Sequence, residues 1–145
     1  GAKFTELALD EVLRVPYVAG AREFLESRRQ DYLFFIASGT PEDELDLVIE
    51  RRGMQSYFDG VYGSPRTKTE IIEMILSEQN LKRQEVVFIG DANSDRIAAR
   101  EAQVEFIFRE YGDGGEEEDR WVLPDLLSLD NTMRDIEELK RSVAS

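Results

Sequence analysis

The chain has no cysteine and no histidine. Disulfides, thiolate zinc centres and imidazole ligands are excluded, so acid–base or metal chemistry must come from carboxylates, lysine and hydroxyls. Basic residues are also scarce, with 18 Lys and Arg against 31 Asp and Glu and a net charge of −13. That balance argues against a nucleic-acid or anionic-membrane binder. The apolar runs fall far short of the roughly 18 residues of a membrane span, and nothing resembles a signal peptide, so the expected location is the cytoplasm. An initiator methionine is missing too, the three methionines being Met54, Met74 and Met133. What remains, 145 residues of which 41% are apolar, suits one folded domain with its own core.

Four runs rich in Val, Ile, Phe and Tyr read as buried strands: 32–38, 60–63, 85–90 and 104–108. They are continuous rather than alternating, as expected of a parallel sheet covered on both faces. Helical patterns separate them. After the first, Thr40 is placed to cap a helix, Pro41 takes its first position, Leu45, Val48 and Ile49 share a face, and Gly53 closes the end. After the second, Thr67 and Glu70 form a capping box, with Ile71, Ile72, Ile75 and Leu76 inward. After the third comes a short Ala-rich helix. Phe24 and Leu25 mark a core-facing helix upstream, and Met133, Ile136, Leu139 and Val143 mark one near the end. Glu116–Asp119 reads as a solvated loop and Trp121 as a packing residue. Strand alternating with helix predicts a doubly wound, Rossmann-like α/β domain, whose ligands bind beyond the carboxyl ends of the strands.

Polar residues collect at those ends. Asp91 and Asp95 stand at the tip of a nearly all-apolar run with no basic residue between them. Carboxylates this close are held by a cation or stay hydrated. With strand-end Ser38 and helix-start Lys68 they form a phosphate and Mg²⁺ constellation. The Ser38 hydroxyl and the amides of Gly39 and Thr40 can hydrogen-bond phosphoryl oxygens, Lys68 neutralises their charge, and the carboxylates hold a hard dication. Each residue also has a plainer reading: Asp91 and Asp95 as helix caps, Ser38 and Gly39 as a turn, Lys68 as an exposed lysine. On the phosphate reading, Lys68→Met weakens oxyanion binding and leaves the melting temperature nearly unchanged.

The segments "FFIASGTP", "YGSPRTKTEII" and "VVFIGDANSD" resemble, in order, the second, third and fourth motifs of the haloacid dehalogenase-like (HAD) superfamily, and within it the phosphatases. The resemblance runs from about Val15 to about Glu110. It implies that Ser38 binds the phosphoryl group, that Lys68 is catalytic in orienting nucleophile and phosphate, that Asp91 ligates Mg²⁺, and that Asp95 ligates or supports it. It further implies hydrolysis of a small phosphorylated metabolite through an aspartyl-phosphate.

The family's first motif, a strand ending in DxDxT that carries the nucleophile, has no match. Asp10 is the nearest candidate, but Glu11 and Val12 follow it, and Leu9, Val12 and Leu13 recur with a helical period. The expectation is a HAD-like core over 15–145 with its amino-terminal strand absent, preceded by residues 1–14 as the remnant of a helix returning from a cap domain. Such a piece should be inactive alone. The alternative is a non-catalytic phosphate-binding or assembly protein derived from the same fold. A response-regulator receiver ranks last, because receivers place the phosphorylated aspartate before the lysine. A missing central strand would leave the strands at 32–38 and 85–90 facing a gap. Either the amino-terminal 14 residues insert there, or the flanking strands pair directly, or a homodimer forms through the seam.

Overall fold

The structure, a computed structural model, describes residues 6–9, 19–109 and 119–144. The described elements are β1 (Glu6–Leu9), α1 (Ala21–Ser27), β2 (Leu33–Pro41), α2 (Glu42–Arg51), β3 (Gly60–Ser64), α3 (Lys68–Glu78), β4 (Val86–Gly90), α4 (Asn93–Ala102), β5 (Glu105–Arg109), β6 (Trp121–Leu123) and α5 (Leu129–Ala144). The strands form one parallel sheet in the order β3-β2-β1-β4-β5-β6. The chain winds outward from β1 in one direction, then returns and winds from β4 in the other. The reversal point lies between β1 and β4, where this topology opens its ligand crevice.

Alternation along the buried strands separates two cores. Phe34, Ile36, Val87 and Ile89 face one side, where they pack with Leu25 of α1, Leu45 and Ile49 of α2, and Met133 and Ile136 of α5. Phe35, Ala37, Val86 and Phe88 face the other, against Ile71, Ile72 and Ile75 of α3 and Ala98, Ala99 and Ala102 of α4. A sheet covered this way has no solvated face, which is why its strands lack polar alternation. Among the described residues, no helix is long and apolar enough to cross a membrane.

Several local expectations hold. The Thr67 hydroxyl accepts the Glu70 N–H at 3.1 Å while Glu70 accepts the Thr67 N–H at 2.8 Å, closing the capping box of α3. Gly53 follows α2 at φ 64°, a left-handed position that glycine takes without steric cost. The cap of α2 differs from expectation. Pro41 occupies the N-cap with ψ 139°, and the Thr40 N–H donates to Ser38 Oγ at 3.1 Å instead of Thr40 capping the helix. Trp121 packs against the core as anticipated, but from a sixth strand too short to be visible as an apolar run.

The larger correction concerns the amino terminus. The central strand is not absent: Glu6–Leu9 forms β1, pairing in parallel with Leu33–Ile36 on one side and Val86–Ile89 on the other. Four residues carry little periodic information, so the helical reading of this stretch was weakly determined. Two rows of backbone donors and acceptors decide it, because each unpaired buried group costs about 1–3 kcal/mol. Since β1 is paired on both sides, the chain fills its own seam, and the argument for a homodimer through that seam falls away. The residues flanking β1 in the amino-terminal 14, Asp10 included, lie outside the described residues.

Candidate functional site

β2 and β4 both neighbour β1, so their carboxyl ends stand two strand spacings apart, roughly 10 Å. Ile36 and Ile89 are both partners of Leu9. Ser38 and Asp91, each two residues further on, therefore stand at equal height on either side of β1. Ser38 is buried, and its hydroxyl accepts the Thr40 amide, so one of the anticipated phosphate donors is already engaged in the turn. Gly63, at the end of β3, must be glycine for this turn to pack: a Cβ there would lie 2.1 Å from the Thr40 carbonyl oxygen.

The motifs after β3 and β4 meet directly. Lys68, the first residue of α3, places Nζ 2.8 Å from Asp95 Oδ1 and 2.9 Å from Ser94 Oγ. Its side chain is only 14% exposed and that of Asp95 is fully buried. The reading of Lys68 as an exposed lysine is thus corrected. The forecast that its loss spares stability is withdrawn with it, since removal would strip a buried carboxylate of its cation. The other Asp95 oxygen, Oδ2, accepts the N–H groups of Asp91 at 3.2 Å and Ala92 at 3.1 Å. Both Asp95 oxygens are therefore committed, one to the cation and one to the β4–α4 turn. Gly90 makes this possible, because a Cβ at that position would lie 2.4 Å from the Asp95 side chain.

Asp91 differs. Its carboxylate directly follows β4 at the reversal point and is 28% exposed, with Oδ2 3.9 Å from an Arg109 guanidinium nitrogen. Of Asp91 and Asp95, it is the one with solvent access. Among the described residues, no three acidic side chains gather in a way that could hold a metal by themselves.

Three residues around the site were not anticipated. Arg96 of α4 holds Asp119 with two bonds, Nε to Oδ1 at 2.8 Å and Nη2 to Oδ2 at 2.7 Å, donates to Asn93 Oδ1 at 2.7 Å and lies 4.6 Å over the Phe108 ring. Asp119 is consequently buried, which corrects its reading as part of a solvated loop; residues 116–118 lie outside the described residues. Arg109, ending β5, is one of the largest fully buried side chains. A charge at the tip of an apolar run was the signal that singled out Asp91, and it applied equally to Arg109. No pattern in the sequence pairs Arg96 with a residue 23 positions away.

The geometry agrees with comparisons to known proteins. The model of the haloacid dehalogenase-like hydrolase family matches residues 3–108. Among solved structures, the chain is similar to a haloacid dehalogenase-like family hydrolase from Streptococcus pneumoniae, at 20% identity over 79% of this chain and 59% of that one, with a TM-score of 0.70. A HAD-superfamily hydrolase of subfamily IA from Geobacter sulfurreducens gives 20% identity over 86% and 60%, with a TM-score of 0.69. A HAD-hydrolase from Bacillus subtilis bound to magnesium gives 13% identity over 81% and 55%, with a TM-score of 0.70. The chain thus spans somewhat over half the length of these structures, and at such identities the likeness is one of fold. No curated protein sequence matches significantly. With the motifs of β2, α3 and β4 converging on one end of a doubly wound sheet, and the family model covering most of the sequence, this chain belongs to the haloacid dehalogenase-like hydrolase family.

Proposed function

We propose that the chain is the phosphate-handling core of a Mg²⁺-dependent phosphate-ester hydrolase acting on a small phosphorylated metabolite, and that these 145 residues do not turn over substrate alone. The observation that carries the reading is the 2.8 Å contact of Lys68 with Asp95, which joins two distant motifs beside the open carboxylate of Asp91. Asp95 does cap α4, its Oδ2 accepting the Ala92 N–H, but capping alone gives it no reason to meet a lysine from another helix. The residues fit a hydrated dication: Mg²⁺ keeps several waters and takes one or two carboxylates plus phosphate oxygens. Asp91 would be the direct ligand, and Asp95 would support it by holding the Asp91 amide and the lysine. Bound there, the cation would polarise the phosphoryl group and offset its charge. The ammonium of Lys68 would neutralise phosphoryl oxygens from the α3 side, and Ser38 with the Gly39 amide would donate hydrogen bonds from the β2 side. The cytoplasmic location is part of the same reading.

The missing DxDxT pattern favours one other reading, a non-catalytic phosphate-binding or assembly protein on this fold. Calorimetry with inorganic phosphate, with and without MgCl₂, tests what the two share: binding should require Mg²⁺, vanish in Asp91→Asn and weaken in Lys68→Met. A p-nitrophenyl phosphate assay should stay at background. Robust Mg²⁺-dependent hydrolysis, abolished by Asp91→Asn, would overturn the inactivity. In that event Asp10→Asn is the decisive variant, because Asp10 is the residue that follows β1 in the chain.

A further inference from the structure

We propose that Arg109 is a resident counter-ion of Asp91 and holds down the affinity of this site for a divalent cation. The inference rests on the reading of Asp91 as a cation ligand and adds a regulator to it. Arg109 ends β5, and its guanidinium is completely buried. It cannot reach a substrate in solvent, so its charge acts through neighbours. Its Nη1 donates to the Pro124 carbonyl at 3.4 Å, which tethers it to the segment after β6, and its Nη2 lies 3.9 Å from Asp91 Oδ2. An arginine remains charged at any pH that the fold tolerates. A buried charge is screened less than an exposed one.

The consequence is electrostatic competition. The carboxylate of Asp91 faces solvent on one side and a fixed positive charge on the other. A dication arriving from solvent meets an anion whose field is partly cancelled, and is repelled by the same guanidinium. Among the described residues Asp95 does not restore the balance, since its own charge is matched by Lys68 at 2.8 Å. An opposite charge within about 4–6 Å alters the energetics of a carboxylate by a factor of ten or more in equilibrium terms. Removing Arg109 should therefore raise Mg²⁺ affinity by about tenfold. A residue with a purely structural role would lower affinity when removed, or leave it unchanged. Arg109 is in this sense a positioning residue whose charge sets the cation threshold.

The test is calorimetric titration of the 145-residue chain with MgCl₂ at constant ionic strength. Wild type, Arg109→Met, Arg109→Gln, Asp91→Asn and the Asp91→Asn/Arg109→Met double variant are compared. Tighter Mg²⁺ binding in either Arg109 variant, abolished by adding Asp91→Asn, is the expected result. Unchanged or weaker binding in folded Arg109 variants, with Asp91→Asn still losing the heat, overturns the counter-ion role while leaving Asp91 as ligand. Wild-type binding that survives Asp91→Asn instead sinks the ligand reading on which the inference rests. Should neither Arg109 variant fold by circular dichroism, the Arg109 side-chain Nε–H resonance of the wild type decides. It should move during the Mg²⁺ titration with the same midpoint as the heat and stay fixed in Asp91→Asn; a resonance that ignores Mg²⁺ while the heat saturates rejects the proposal.

Discussion

Asp95 and Arg96 are consecutive residues of α4, yet the ion pairs they make are of different kinds. Arg96 grips Asp119 with two parallel bonds, both side chains nearly inaccessible, and the guanidinium lies on Phe108. Asp95 takes a single ammonium nitrogen from Lys68, whose side chain keeps some contact with solvent. About 100° of helical turn separates the two positions, so one side chain reaches back to α3 and the other across β5 to the chain before β6. In the first pair geometry and charge are used up internally, and nothing is left for a ligand. In the second the carboxylate is fixed by two backbone amides, and the lysine side chain keeps 14% of its surface exposed. The difference teaches that burial of the acid alone does not distinguish the two pairs; what does is the solvent access that the cation keeps in the second.

The largest effect is expected where the matching is most complete. Arg96→Met strands the Asp119 carboxylate in a buried position and removes the contact with Phe108, at a cost of about 3–5 kcal/mol against a total stability of about 5–15. Urea denaturation should show a large drop in midpoint, or a chain that no longer folds. A loss near that of an exposed pair would mean that water enters the clasp, and the contrast would fail.

Lys68→Met should cost less, about 1–3 kcal/mol, because Asp95 retains two amide donors and water can approach from the lysine side. The same variant should lose most phosphate binding, whereas a mildly destabilised control on the opposite face, Ile136→Val in α5, should keep it. Equal stability loss in Arg96→Met and Lys68→Met would erase the distinction between the sealed and the open pair.

The smallest effect tests a cation that is set against a neutral group. The half-buried Lys140 amine donates to the Gln84 carbonyl, and loss of hydration pushes its pKa below the ordinary 10.5, with Glu105 pulling it partly back. Between the lowered folded value and 10.5 the unfolded chain binds more protons than the folded one, so stability should rise with pH in that window. Lys140→Met removes this term. The difference between wild type and variant, measured by urea denaturation from neutral pH to about 10.5, should shift in favour of wild type as pH rises. A difference independent of pH would place the amine in full contact with water.

Much of the site could be read from local patterns. Ser38, Lys68 and Asp91 each sit at the junction of an apolar run and a helical pattern, and such junctions recur at the carboxyl end of every strand in a parallel sheet. What could not be read is how the charges pair. The partners of Asp95, Arg96 and Asp91 lie on other elements, and distance along the chain carries no signal for them.

By itself the sequence determined the α/β class, the capping box of α3, the two-faced burial of β2 and β4, and the order of the three motifs. Each follows from chemistry within a few residues: apolar continuity, helical period, a hydroxyl three residues from a glutamate. Only the tertiary structure decided that Glu6–Leu9 is a strand, that Lys68 is held against Asp95, and that Arg109 stands behind Asp91. A four-residue stretch takes its conformation from the hydrogen-bonding edges it meets, and a charged side chain takes its role from whichever counter-charge the fold brings within a few ångströms.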